Sequence, residues 1–243
     1  MELYRKALET FIHPFKQDHN VIGILLSGSY VHAKPDKNSD LDVYIIEKEN
    51  TFRERGNTWI DGFEIEYFIN PVKQVRHYFK TEAGISPHTA HMLVHCEVLY
   101  QNGNLLDELR EEALELLNKC RPNPDENQRE LLKYGLDDIW KDIEDVYLKS
   151  DDFAFALLGN RLVEYCIDTL GKIMGFYPDK AKRLEPQLRE INPGLTNLLK
   201  AFLLSSEKKR KFEVLRNMKI KMEELLGGAR AKEWLLKTEC TFG

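Results

Sequence analysis

The stretch that most restricts how this chain can fold leaves one apolar run, turns, and enters a second: Leu26-Ser27-Gly28-Ser29-Tyr30-Val31-His32-Ala33-Lys34-Pro35-Asp36-Lys37-Asn38-Ser39-Asp40-Leu41-Asp42-Val43. Before it, Val21-Ile22-Gly23-Ile24-Leu25-Leu26 is a short continuous apolar run of the kind a buried strand shows. After the break at Lys34 to Asn38, Leu41, Val43 and Ile45 alternate with Asp40, Asp42 and Tyr44, which predicts a strand with one apolar face. The segment is therefore a strand, a turn and a strand with acid at the start of the second.

Those residue types suit one kind of chemistry. Gly28 lets the backbone turn sharply off the first strand, and the Ser29 amide and hydroxyl then begin a short helical turn, where free N–H groups favour an anion such as a nucleotide phosphate. Asp40 and Asp42 are two residues apart on a strand, so both carboxylates point to one face and can share a hard cation, for which magnesium is the best fit. Holding metal while a hydroxyl attacks a nucleotide α-phosphate calls for a further carboxylate on a neighbouring strand. Thr58-Trp59-Ile60 and Phe63 to Ile69 flank Asp61-Gly62, a two-residue hairpin signal, and Glu64 and Glu66 share the parity opposite to that of Phe63, Ile65 and Tyr67. The two glutamates lie about 7 Å apart along the strand, so only one reaches the aspartates comfortably. Glu66, deeper in the strand, is the expected ligand or base, with Glu64 nearer the acceptor.

The organisation changes beyond Gly103. Up to that point a helix over residues 2–17, the strands above, a helix from Val72 to Thr81 and a last strand at Val98-Leu99-Tyr100 alternate; afterwards only helical patterns remain. These run Leu105 to Lys119, from a cap at Asp125 through Trp140 to Leu148, Asp152 to Gly175, Lys180 to Ile191, Pro193 to Leu204 and Glu207 to Leu226. The expected architecture is α+β: a mixed-sheet domain over residues 1–120, then an all-helical bundle over 121–243.

Gly28-Ser29, nine intervening residues, then Ser39-Asp40-Leu41-Asp42, followed by an acidic strand, resembles the nucleotidyltransferase superfamily of DNA polymerase beta. With a helical second half, the chain is similar to the antibiotic nucleotidyltransferases of kanamycin and streptomycin type. The resemblance covers residues 20 to 70 in detail and the rest by architecture only. It implies that Gly28, Ser29 and Ser39 serve the triphosphate, that Asp40 and Asp42 bind Mg2+, and that Glu66 or Glu64 completes the metal site or acts as base. The chain departs from the family at Ala33, where a second glycine is usual. The resemblance further implies that a helix like Val163 to Lys172 brings a base, here Asp168, and a phosphate-contacting lysine, here Lys172. Taken alone, Glu164, Asp168 and Lys172 are a solvated helix stripe with one ion pair.

The implied activity is magnesium-dependent transfer of a nucleoside monophosphate, AMP from ATP, to a hydroxyl of a small acceptor such as an aminoglycoside-like compound. That acceptor is expected to sit between the acidic face and the helical half. A protein-modifying adenylyltransferase of antitoxin type and a non-enzymatic nucleotide sensor are the alternatives.

Charge narrows the partners. With 35 Lys+Arg against 40 Asp+Glu the formal net charge is −5, which argues against a broad nucleic-acid or acidic-membrane binder. No apolar run approaches membrane-spanning length and Glu2 and Glu9 interrupt any leader-like start, so the expected address is the cytoplasm. A homodimer is left open. Cys96, Cys120, Cys166 and Cys240 form no C-x-x-C pair and are expected to be packed thiols. His88, His91 and His95 lie at helical spacing without a third zinc ligand and are expected to be surface or partly packed.

Overall fold

The structure, a computed structural model, describes residues 3–32, 35–119, 121–235 and 237. Ala33, Cys120 and Cys240 lie outside the described residues, so the departure at Ala33 has no structural counterpart here. The chain divides into two compact units, Met1–Cys120 and Arg121–Gly243.

The first unit runs α1 (Leu3–Lys16), β1 (Val21–Ser27), α2 (Ser29–His32), β2 (Leu41–Glu47), β3 (Glu54–Ile60), β4 (Phe63–Pro71), α3 (Val72–Thr81), α4 (His88–Val94), β5 (Glu97–Gln101) and α5 (Leu105–Asn118). Its sheet has the order β3-β4-β2-β1-β5. β2 and β4 are parallel and the other pairs antiparallel, so the sheet is mixed. The β3–β4 turn is the one expected, with Asp61 at φ 50° and Gly62 at φ 84°, the two positive values whose twist matches flanking antiparallel strands.

Both faces of the sheet are covered. Leu8 and Ile12 of α1 pack on Leu26, Leu41, Val43, Ile45 and Ile65, and full burial of each aliphatic side chain is worth about 1.5–3 kcal/mol. On the other face α3, α4 and α5 bring Val75, Phe79, Leu93, Leu106 and Leu109 onto Leu25, Tyr44 and Ile46. Here the expectation of a strand with one apolar face needs correction: Tyr44 and Ile46 are buried as well, and β2 is polar only at its start. A central strand flanked by β1 and β4 and covered on both sides has no solvent face to keep polar.

The second unit is helical among its described residues: α6 (Glu126–Leu148), α7 (Asp152–Met174), α8 (Ala181–Ile191), α9 (Pro193–Leu204) and α10 (Lys208–Leu225). Asp125 caps α6 through a capping box with Gln128, satisfying two end groups that the helix itself cannot. The core joins Leu136, Ile139, Ile143, Leu162, Cys166, Leu199, Leu215 and Met218 from α6, α7, α9 and α10. Trp140 and Tyr147 stack on Phe212. The basic run from Lys208 to Lys211 opens α10, and part of it packs on aromatic rings: Lys208 lies over the Tyr147 and Phe155 rings and Lys211 over Phe202. No described helix is long and apolar enough to cross a membrane.

Candidate functional site

Strand parity and register bring the acids together. Asp42, Tyr44 and Ile46 share one face of β2, and the parallel register sets them beside Glu66, Phe68 and Asn70 of β4. Along this face the chemistry changes from acid to apolar within one pleat repeat. Tyr44 and Phe68 are stacked at 6.0 Å, whereas Asp42 and Glu66 are half-buried. With Asp40, which immediately precedes β2, they offer three carboxylate oxygens all within 4.8 Å of one another, the one such group among the described residues.

Gly28 explains why Asp42 can sit where it does. Its φ is +78°, and a Cβ there would stand 2.0 Å from Asp42 Oδ2. The sequence points to a glycine for turning and for phosphate room; the structure adds that the Asp42 carboxylate lies directly over the Gly28 backbone. Gly28→Ala is therefore expected to cost at least about 1–2 kcal/mol from the left-handed backbone alone, read as a lowered denaturant midpoint, and to displace the Asp42 carboxylate as well. An unchanged midpoint would contradict both the strain and the contact.

The remaining expected residues fall in distinct places. Ser29 opens the short α2. Ser39 is occupied locally: its Oγ accepts from the Asp36 N–H at 2.8 Å and donates to Asp36 Oδ1 at 3.4 Å, so its side chain builds the turn into β2. Glu64 stands apart from the trio and accepts from Asn57 Nδ2 at 2.7 Å. Tyr30 borders Asp40, and burial together with that carboxylate pushes its phenol up.

Two residues were missed by reading the sequence. Arg55 and Asn57 on β3 line, with Asp40, Gly56, Glu64 and Glu66, a cleft of about 370 Å³. Arg55 donates to Glu66 Oε1 through Nη2 at 2.7 Å and Nε at 3.1 Å, and its guanidinium lies 5.0 Å from the Phe68 ring centre. The signal was present, because a two-residue turn fixes antiparallel pairing: Asn57 must oppose Glu66 and Trp59 must oppose Glu64.

In the helical unit, Asp168 and Lys172 pair at 2.7 Å, and Arg121 adds a second contact to Asp168 at 3.0 Å. The stripe reading is thus incomplete. Arg121 is 7% exposed and its Nη1 has no hydrogen-bond partner among the described residues. Burial would raise the Asp168 carboxyl, but hydrogen bonds from Lys172 and Arg121 outweigh it and hold the group below its ordinary range. His91 and His95 stack at 5.6 Å and join no metal-capable group among the described residues. Cys166 is buried, which pushes its thiol up to about 12, as expected of a packed thiol.

Residues 8–99, from α1 into β5, match the family model described as a nucleotidyltransferase domain. That span holds Gly28, Ser29 and all three clustered carboxylates. This region carries a nucleotidyltransferase domain, the kind of domain that nucleotidyltransferase enzymes have. No curated protein matches the chain. Among solved structures it is similar to a nucleotidyltransferase-like protein from Exiguobacterium sibiricum 255-15, at 12% identity and TM-score 0.54, over 92% of this chain and 74% of that one. An aminoglycoside 6-adenyltransferase from Bacillus subtilis is also found, at 8% identity and TM-score 0.36, over 94% of this chain and 93% of that one.

Proposed function

We propose that this chain transfers a nucleoside monophosphate, AMP from ATP, to a hydroxyl of a small hydroxylated acceptor of aminoglycoside-like chemistry, with magnesium as the required cation and pyrophosphate as the leaving group. The observation that carries this reading is the cluster of Asp40, Asp42 and Glu66, oxygens within 4.8 Å, inside a nucleotidyltransferase domain. The donor set fits the group: three carboxylates with no sulfur or imidazole among them suit a hard divalent cation. Such a cation supplies charge neutralisation on the triphosphate and activation of the attacking hydroxyl.

The protein's own part is binding and orientation. The amides of the Gly28-Ser29 turn and the Ser29 hydroxyl take phosphate oxygens, and Asp40, Asp42 and Glu66 hold the cation against them. Glu66 is favoured over Glu64 because it lies beside Asp42 in register, while Glu64 is held by Asn57 on the acceptor side. In the helical unit Lys172 is the proposed phosphate contact. Asp168 is weakened as a base, since Arg121 and Lys172 each occupy one of its oxygens and lower its proton affinity.

The test is pyrophosphate release from each of the four nucleoside triphosphates with magnesium, with and without a panel of aminoglycosides and other polyols. Acceptor-dependent release from ATP is expected. Label from ATP recovered on a protein would favour the antitoxin-type alternative, and ATP binding without any release would leave a sensor.

A further inference from the structure

Among the described residues, Arg55 is the one cation lining a cleft whose other charged groups, Asp40, Glu64 and Glu66, are all carboxylates. It does not point away from them. Two of its nitrogens donate to the same Glu66 oxygen, at 2.7 and 3.1 Å, although the Arg55 side chain is 70% exposed and free to turn outward. Glu66 is the member of the carboxylate trio that β4 contributes. The backbone beneath is tightly placed: Arg55 opposes Phe68 across the β3–β4 ladder, and its neighbour Gly56 approaches Tyr67 so closely that a Cβ would stand 2.5 Å from the phenol oxygen. The strand that carries the arginine is thus held against the strand that carries the glutamate.

We infer that Arg55 is an affinity-setting residue of the cation site, a tethered guanidinium that competes with the divalent cation for Glu66. The inference rests on the metal reading above. A guanidinium on Glu66 Oε1 takes up lone pairs and negative charge that a metal would otherwise use, and it sets a positive charge against the incoming cation, so the cation is bound better as Arg55 leaves. Exposed ion pairs are weak, so the exchange is easy: Arg55 swings off Glu66 while its aliphatic stem stays against the Phe68 ring. Without a cation, the arginine relieves the mutual repulsion of the clustered acids. With one, its own positive charge stands nearby and lowers the affinity. The site then binds a bare cation loosely and a cation arriving with an anionic triphosphate better, because the released guanidinium meets phosphate oxygens.

The sign of one measurement decides. Mn2+ is titrated calorimetrically into the full-length chain, its Arg55→Gln variant and, as reference for the reading itself, Asp42→Asn. Removing a unit positive charge next to a divalent cation, together with its competition, is expected to tighten Mn2+ binding by about tenfold. Arg55→Lys, which keeps the charge but makes fewer contacts, should fall between wild type and Arg55→Gln. If Arg55 instead orients Glu66 for the metal, Arg55→Gln binds Mn2+ more weakly, and that result, or an unchanged affinity, overturns the proposal while leaving the metal reading intact. If wild type and Asp42→Asn bind Mn2+ equally, or none of the proteins binds it, the metal reading falls and the proposal with it. Circular dichroism melting of each variant confirms that folded protein is compared, and an edge-strand residue that is 70% exposed is expected to leave it unchanged.

Discussion

Asp42→Asn is expected to lower nucleotidyl transfer by about 10³-fold or more and to leave the melting temperature unchanged or slightly raised. The side chain is half-buried at the open end of β2, beside Glu66 and directly over Gly28. An amide of the same shape keeps those contacts. It removes a charge from a trio whose oxygens already lie within 4.8 Å of one another, so the apo protein loses repulsion rather than packing. On the proposed mechanism catalysis loses a charged ligand instead, and several kcal/mol of transition-state neutralisation corresponds to about three decades in rate. Pyrophosphate release at saturating magnesium, beside a thermal melt, separates the two effects. Turnover near the wild-type rate would end the proposed mechanism.

The second large effect is on stability and lies in the helical unit. Asp168→Ala is expected to destabilise that unit by about 3 kcal/mol, at the low end of the cost of stranding a buried charge because Asp168 itself is half exposed. The burden falls on Arg121, which is 7% exposed and, among the described residues, already has an unpartnered Nη1 and would lose its one carboxylate contact. Arg121→Met should cost less, since it leaves Asp168 half in solvent and still paired with Lys172. The pH dependence carries a definite sign. A carboxyl held below its ordinary value contributes stability that is present above about pH 4 and is lost as pH falls through the native value. The gap between wild type and Asp168→Ala, measured by urea unfolding, should therefore narrow from pH 6 to pH 3. A gap that stays constant would mean that the ion pairs contribute nothing. Transfer by the fraction of Asp168→Ala that remains folded tests the base role separately: near-normal turnover would exclude it.

Much of the first unit could be read before any coordinates, for local reasons. Asp61-Gly62 dictates its own turn, Pro71 ends β4 where α3 begins, and the Leu26 to Val43 segment carries its glycine, serine and aspartates within one short stretch. The short α4 was seen only as a histidine spacing, because seven residues between two irregular segments carry little periodic signal. In the helical unit, caps at Asp125, Asp151 and Asn192 mark starts that side chains near in sequence can signal.

The sequence by itself determined what depends on neighbours along the chain: the order of the strands and of the longer helices, the acid parity of Asp40, Asp42, Glu64 and Glu66, and the turn at Gly28. Only the tertiary structure decided what depends on pairing between distant segments. The parallel register of β2 with β4 placed Glu66, not Glu64, beside Asp42. The helices over Tyr44 made β2 a strand buried on both faces, β3 delivered Arg55 onto Glu66, and Arg121 reached Asp168 across 47 residues of chain. A strand's parity is a property of its own residues, but its register is chosen by the whole sheet as it buries its apolar faces, and no short stretch of sequence carries that choice.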